Sequence, residues 1–196
     1  RNTAIMQGYD GSRWQKMTDR EGRESPSTVG TYLIWQQAHP IFFAELLYRN
    51  SVDKKATLRK YGDLVDLSAD FMASYSWYDS TAQRYQLGPW LIPAQERLPA
   101  ATTINPPFEL AYWHWGLQTA QVWRERSGLP REEKWDHVLN NLPSLPRRDS
   151  LYLAAGSAPD SWTNPRYMGD HPSILGALGV LPASPLVNQQ IMQSTY

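Results

Sequence analysis

Residues 108–127, FELAYWHWGLQTAQVWRERS, constrain this chain more than any other stretch. Phe108, Tyr112, Trp115, Thr119 and Val122 recur along one side at helical spacing, and Trp113, Leu117 and Ala120 along another. A helix that is apolar on two sides must be covered on two sides. It is therefore an inner element with other helices packed around it. Pro106 and Pro107 suit its start, and Gly128 suits its end.

The neighbouring segments supply candidate partners. Thr28–Arg49 carries a stripe of Tyr32, Trp35, His39, Phe43 and Leu47, with Pro40 expected to kink or break the helix. Residues 55–77 read as an amphipathic helix. Leu58, Tyr61, Val65, Ala69, Met72 and Tyr75 form its buried face, and Arg59, Lys60, Asp63, Asp66 and Asp70 lie opposite. Arg131–Leu142 and Pro172–Leu181 read as shorter helices, and SLYLAA as a short strand. Residues 1–27 have the glycines and interspersed charges of an ordered loop. The expected class is all-α. Inner and outer helices in alternation describe a toroid of helical hairpins, and long ordered loops in such a domain have function as their usual reason.

Composition narrows the functions. Lys plus Arg and Asp plus Glu both number 19, so no net charge draws the chain to nucleic acid or to acidic lipid. No apolar run is long enough to span a bilayer. There are no cysteines, which removes thiolate catalysis, disulfides and cysteine–zinc sites. The four histidines lack metal-ligand spacing, and no phosphate-binding glycine motif is present. Neither a metal nor a cofactor is expected. Nine Trp and eleven Tyr stand against four Phe, and a flat apolar face with a polar edge suits sugar rings as well as protein cores.

The segment LGPWLIPAQERL, residues 87–98, brings Glu96 to the end of a proline-bracketed apolar run containing Trp90. Glycoside hydrolysis needs a protonated acid at the leaving oxygen. In inverting enzymes a second carboxylate lies roughly 6.5–9.5 Å away. Apolar burial raises a carboxyl pKa, so Glu96 fits the acid; as a surface residue it would simply pair with Arg97. Asp170, in YMGDHPSIL, is either a helix-cap residue or a base, with His171 beside it. Glu109 lies in the first turn of the inner helix, where the helix dipole lowers a pKa. That position suits a base, a hydroxyl acceptor or a structural salt bridge. Arg13, Lys16, Asp19, Arg23 and Glu24 form a charged loop interrupted by Trp14 and Met17.

In this order the motifs resemble the catalytic domain of six-hairpin, (α/α)6-barrel glycosidases, in particular glycoside hydrolase family 65 and its uncharacterised bacterial relatives. GYDGSRWQKMTDREGRESP is similar to that family's first loop, with Gly8, Gly11, Arg13, Trp14, Gly22, Glu24 and Pro26 in register. LGPWLIPAQE resembles the segment that carries the family's general acid, which implies that role for Glu96. Asn105, in INPPFELAYWHWGL, matches the Asn that leads into the next inner helix. GDHPSILGALG resembles the segment in which the family's phosphorylases bind phosphate, but Pro172 and Ile174 replace polar residues there, which favours hydrolysis by water. HPSILGALGVLP also resembles family 95 fucosidases, which implies Asp170 as the base that activates water.

The resemblance implies an inverting glycosidase with Glu96 and Asp170 as the catalytic pair. Arg13, Trp14, Lys16, Glu24, Trp90, Gln95, Asn105, Glu109, Trp113 and His171 would contact the substrate, an oligosaccharide or glycoside. An inverting disaccharide phosphorylase of the same fold and a non-catalytic carbohydrate-binding module are the other readings. A complete barrel has about twelve helices, so residues 1–196 are expected to form part of one barrel domain, completed by the rest of a longer polypeptide. A periplasmic or secreted bacterial setting is the expected location.

Overall fold

The computed structural model describes residues 2–196. The chain is mostly helical. Its α-helices are α1 (Asn2–Met6), α2 (His39–Asn50), α3 (Lys54–Tyr75), α4 (Pro107–Arg126), α5 (Glu133–Asn140), α6 (Pro165–Met168) and α7 (Gln189–Thr195). Two short hairpins supply the strands: β1 (Trp77–Asp79) with β2 (Arg84–Gln86), and β3 (Arg147–Arg148) with β4 (Leu151–Tyr152). Short 3-10 turns occupy Gly30–Tyr32 and Ser173–Ala177.

The chain divides into two compact units, each assembled from separate segments. The first comprises the N-terminal residues through Trp14, Gln37–Tyr85 and Trp113–Leu142. The second comprises Gln15–Gln36, Gln86–Tyr112 and Pro143–Tyr196.

In the first unit α3 packs on α2 and α5. The Asp53 carboxylate caps α3 by accepting from the Ala56 N–H at 2.8 Å. The buried face of α3 is the expected one: Leu58, Val65, Ala69, Met72 and Tyr75 are all in the core. Three tryptophans fill the interior, and each satisfies its indole N–H. Trp113 donates to the Met72 carbonyl, Trp123 to Glu45 Oε2 and Trp135 to Asp70 Oδ1. At Gly116 the packing is close: a Cβ there would lie 2.8 Å from Cε at the flexible end of Met72 and 3.2 Å from Ala38 Cβ.

Two sequence expectations fail here. The helix expected from Thr28 begins only at His39, with Pro40 in its first turn. Proline has no N–H to continue a preceding helix, and it is well accommodated in a first turn. The face of α2 is also misassigned. Ile41, Ala44 and Glu45 are buried, whereas Phe43 and Leu47 are about half exposed. With apolar residues on most sides of α2, spacing alone does not choose the core face.

The second unit is loop-rich. Leu33 pairs with Ile92 in a parallel bridge, and the Ile92 N–H donates to the Tyr32 carbonyl at 2.7 Å. Asn105 bridges two loops, donating its backbone N–H to the Leu87 carbonyl and accepting the Leu87 N–H on Oδ1. Leu98, Ala154, Ala155 and Ala158 form a small core with Tyr167 against it. The helix expected over Pro172–Leu181 is reduced to the 3-10 turn at Ser173–Ala177. Thr195 on α7 accepts the Tyr152 N–H of β4 at 2.9 Å, which docks the last helix on the second hairpin.

Candidate functional site

The loop Ala94–Leu98 is fastened residue by residue within the second unit. The Ala94 N–H donates to Glu109 Oε1 at 2.6 Å. Gln95, itself buried, donates from Nε2 to the Tyr167 carbonyl at 2.8 Å. The Arg97 N–H donates to Asp170 Oδ2 at 2.8 Å, and the Leu98 side chain enters the small core. Glu96 and Arg97 are the exposed residues of the run. Glu96 Oε1 accepts from Lys16 Nζ at 2.5 Å, and the Glu96 side chain is 40% exposed. Lys16 Nζ also lies 5.5 Å from the centre of the Trp35 ring.

Glu96 therefore differs from the sequence expectation. Its pair is with Lys16 rather than with water-poor walls, because Trp90 does not fold over it. Trp90 sits at φ 67 and is 60% exposed, with its ring centre 6.3 Å from that of Tyr32. The apolar residues that bury themselves are Leu91, Ile92 and Pro93.

Asp170 is held from three directions. Besides the Arg97 N–H, its carboxylate accepts the His171 N–H at 2.7 Å, and His171 Nδ1 lies 2.5 Å from Oδ1. Burial pushes its pKa up, but these bonds outweigh burial and hold it below the ordinary carboxylate range. It is a carboxylate at neutral pH. It caps no helix, since α6 precedes it and is capped by Asn164.

Glu109 overturns the expectation of a lowered pKa. The residue is fully buried and its Oε2 has no hydrogen-bond partner. Burial pushes its carboxyl from 4.5 to about 8, beyond what the Ala94 N–H and the helix terminus recover. It is an anchoring acid beneath the loop rather than an accessible base.

The other residues of the expected site divide between the units. Asn105 and Glu24 lie in the second, with Glu24 exposed and its backbone bridged to Thr18. Arg13, Trp14 and Trp113 lie in the first unit and are tied into its packing. Arg13 Nη1 donates to Gln7 Oε1, and Trp14 Nε1 to Ser68 Oγ. Trp113 is 1% exposed, which leaves no ring face for a sugar. Tyr32 and Trp35, read from the sequence as part of a helical stripe, lie beside the Glu96 loop, Tyr32 near Trp90 and Trp35 near Lys16. Among the described residues no group of three metal-ligating side chains converges, and no helix is long and apolar enough to cross a membrane.

No protein-family model matches this chain, and no curated protein matches it in sequence.

Proposed function

We propose that this chain carries acid and base groups of an inverting glycoside hydrolase, part of an (α/α)6 toroid. Glu96 is the proton donor and Asp170 the base. One observation carries this: the carboxylate of Asp170 is bonded to the backbone of Arg97, the residue next to Glu96. Two carboxylates that lie far apart in sequence are thereby brought onto one loop cluster. One is locked and ionised, and the other is accessible. Inversion uses this division of labour.

Asp170 takes a proton from a water as the water oxygen bonds the anomeric carbon. The bond from that carbon to the leaving oxygen breaks, and Glu96 delivers a proton to the leaving oxygen. His171 orients the Asp170 carboxylate. The exposed ring of Trp90, with the half-buried ring of Tyr32 beside it, offers a C–H/π surface for a neighbouring sugar. Before bond cleavage Lys16 must leave Glu96 for a sugar hydroxyl, and Glu96 must take up from water the proton that it then delivers.

A panel of α-linked glycosides and β-linked L-sugar glycosides, with natural and activated leaving groups, tests this. Glu96→Gln is expected to lose about 100-fold or more on natural leaving groups and less on activated ones. Asp170→Asn is expected to lose comparably on both. Unchanged turnover in Glu96→Gln eliminates Glu96 as the acid. Cleavage that requires phosphate and releases a sugar 1-phosphate identifies a phosphorylase instead.

The Lys16–Glu96 pair favours a second reading, a non-catalytic sugar-binding surface, because an ion pair at 2.5 Å is a settled arrangement without substrate. Sugar binding by calorimetry with no turnover on any glycoside would select it.

A further inference from the structure

We propose that a cleft beside the β3–β4 hairpin binds a neutral sugar ring, at a place separate from the Glu96 loop. The cleft measures about 390 Å³, within the range of small-ligand sites. Trp162 lines it, and the Trp162 indole N–H is already given to the Tyr152 carbonyl at 2.7 Å. What that side chain offers the cleft is therefore ring carbon, the surface on which sugar C–H groups stack.

The polar groups around that ring suit hydroxyls. The register Arg147 with Tyr152 and Arg148 with Leu151 leaves Asp149 and Ser150 as a two-residue turn. Asp149 sits at φ 53, in a region that L-residues visit sparingly. Among the described residues only its backbone oxygen is engaged, by Arg147 Nη1 at 3.3 Å. Its carboxylate is left to accept from a ligand. Asp160 has one oxygen bonded to Asn164 Nδ2 and a second to offer. Among the described residues the Arg148 side chain makes one long bond, 3.4 Å, to the Pro159 carbonyl.

The balance of charge chooses the ligand class. Arg148 stands against Asp149 and Asp160, so the lining repels phosphate and other anions. Two carboxylates, a guanidinium and a serine hydroxyl can each bond a vicinal diol, and a flat ring wall fits the apolar side of a pyranose. The inference does not depend on the role of Glu96.

The test is an NMR titration of the 15N-labelled chain with D-glucose, D-galactose and L-fucose, their methyl glycosides and, separately, inorganic phosphate. Trp162→Phe assigns the Trp162 indole resonance. One or more sugars are expected to shift that resonance together with the Asp149 and Ser150 amides along one saturating curve, and phosphate is not. Asp149→Gly preserves the left-handed turn and removes the carboxylate. It and Arg148→Ala are each expected to weaken binding about tenfold. Glu96→Gln is expected to leave the curve where it was, whatever it does to turnover. The proposal is overturned by shifts with phosphate alone, by no sugar shifting these resonances, or by sugar binding that survives both cleft substitutions or disappears in Glu96→Gln.

Discussion

The Ala94 N–H donates to Glu109 Oε1 at 2.6 Å, across fifteen residues of chain, and the other oxygen of that carboxyl meets no partner. A single buried acid thus supports the loop that presents Glu96 two residues later. The Glu109 carboxyl lies at the start of α4, where the helix terminus favours an anion, yet complete burial overrides that preference.

The pH dependence of stability follows from this. The folded-state pKa of Glu109, about 8, lies above its ordinary 4.5, so the folded chain holds a proton that the unfolded chain releases. Stability contributed by this group is full below about pH 4.5, falls as pH rises toward 8, and levels off above it. The loss is on the order of a few kcal/mol. Glu109→Gln keeps the acceptor for Ala94 and does not titrate. Urea unfolding across this pH range should show wild type losing ground to Glu109→Gln; parallel curves would refute the buried acid.

Glu45 behaves oppositely. It is buried in the first unit and accepts from Trp123, Arg126 and Arg49. Burial pushes its carboxyl up, but the bonds from Arg126, Arg49 and Trp123 prevail and its pKa falls below 4.5. Its contribution is present above the ordinary carboxylate pKa and is lost as pH drops through the lower folded value. Glu45→Ala strands the Trp123 indole and the Arg126 guanidinium, at an expected cost of about 3–5 kcal/mol in chemical denaturation at neutral pH. A cost under about 1 kcal/mol would show the node to be dispensable.

Gly88 controls the entry to the loop. It sits at φ +91, and a Cβ there would lie 2.2 Å from the Thr103 carbonyl oxygen. Gly88→Ala strains the backbone and forces Thr103 aside, so a loss of about 2 kcal/mol or more is expected in thermal unfolding. Gly62 has open space where its Cβ would be, and Gly62→Ala, inside α3, should be neutral or stabilising. Equal effects at the two positions would contradict the close approach seen at Gly88.

Lys16 and Glu96 separate stability from activity. Their side chains are 30% and 40% exposed, so solvent screens the pair and Lys16→Ala should change stability by less than about 1 kcal/mol. If Lys16 hands over to a sugar hydroxyl, the same change raises KM for a glycoside and moves kcat less. A large drop in melting temperature with unaltered KM would assign Lys16 to scaffolding.

Much of the fold was legible in the sequence. The helix α4 could be read from its apolar spacing, and the Trp113, Leu117 and Ala120 stripe is buried as expected, whereas the Phe108, Trp115, Thr119 and Val122 stripe is only half-buried. Most of the buried face of α3 was legible because Arg59, Lys60 and Asp63 marked an exposed side, but Asp66 and Asp70, read with them, are half-buried against Arg124 and Trp135. Glu96, Asp170 and Glu109 stood out as carboxylates beside turns and helix starts, and the structure brings all three to one loop cluster. The exposed Trp90, the buried Trp113 and the core face of α2 could not be told apart by composition, since aromatic residues serve cores and surfaces alike.

Local pattern by itself determined where α3, α4 and α5 run, since periodicity, prolines and caps act over a few residues; it overran the start of α2 and the turn at Ser173–Ala177 and did not show α1. Only the tertiary structure decided which carboxyl is dry. Glu96 was expected to be the sheltered acid, and Glu109 is. Solvation at a side chain depends on segments arriving from far along the chain, here Ala94 against Glu109 and Arg97 against Asp170, and no spacing within a segment encodes that meeting.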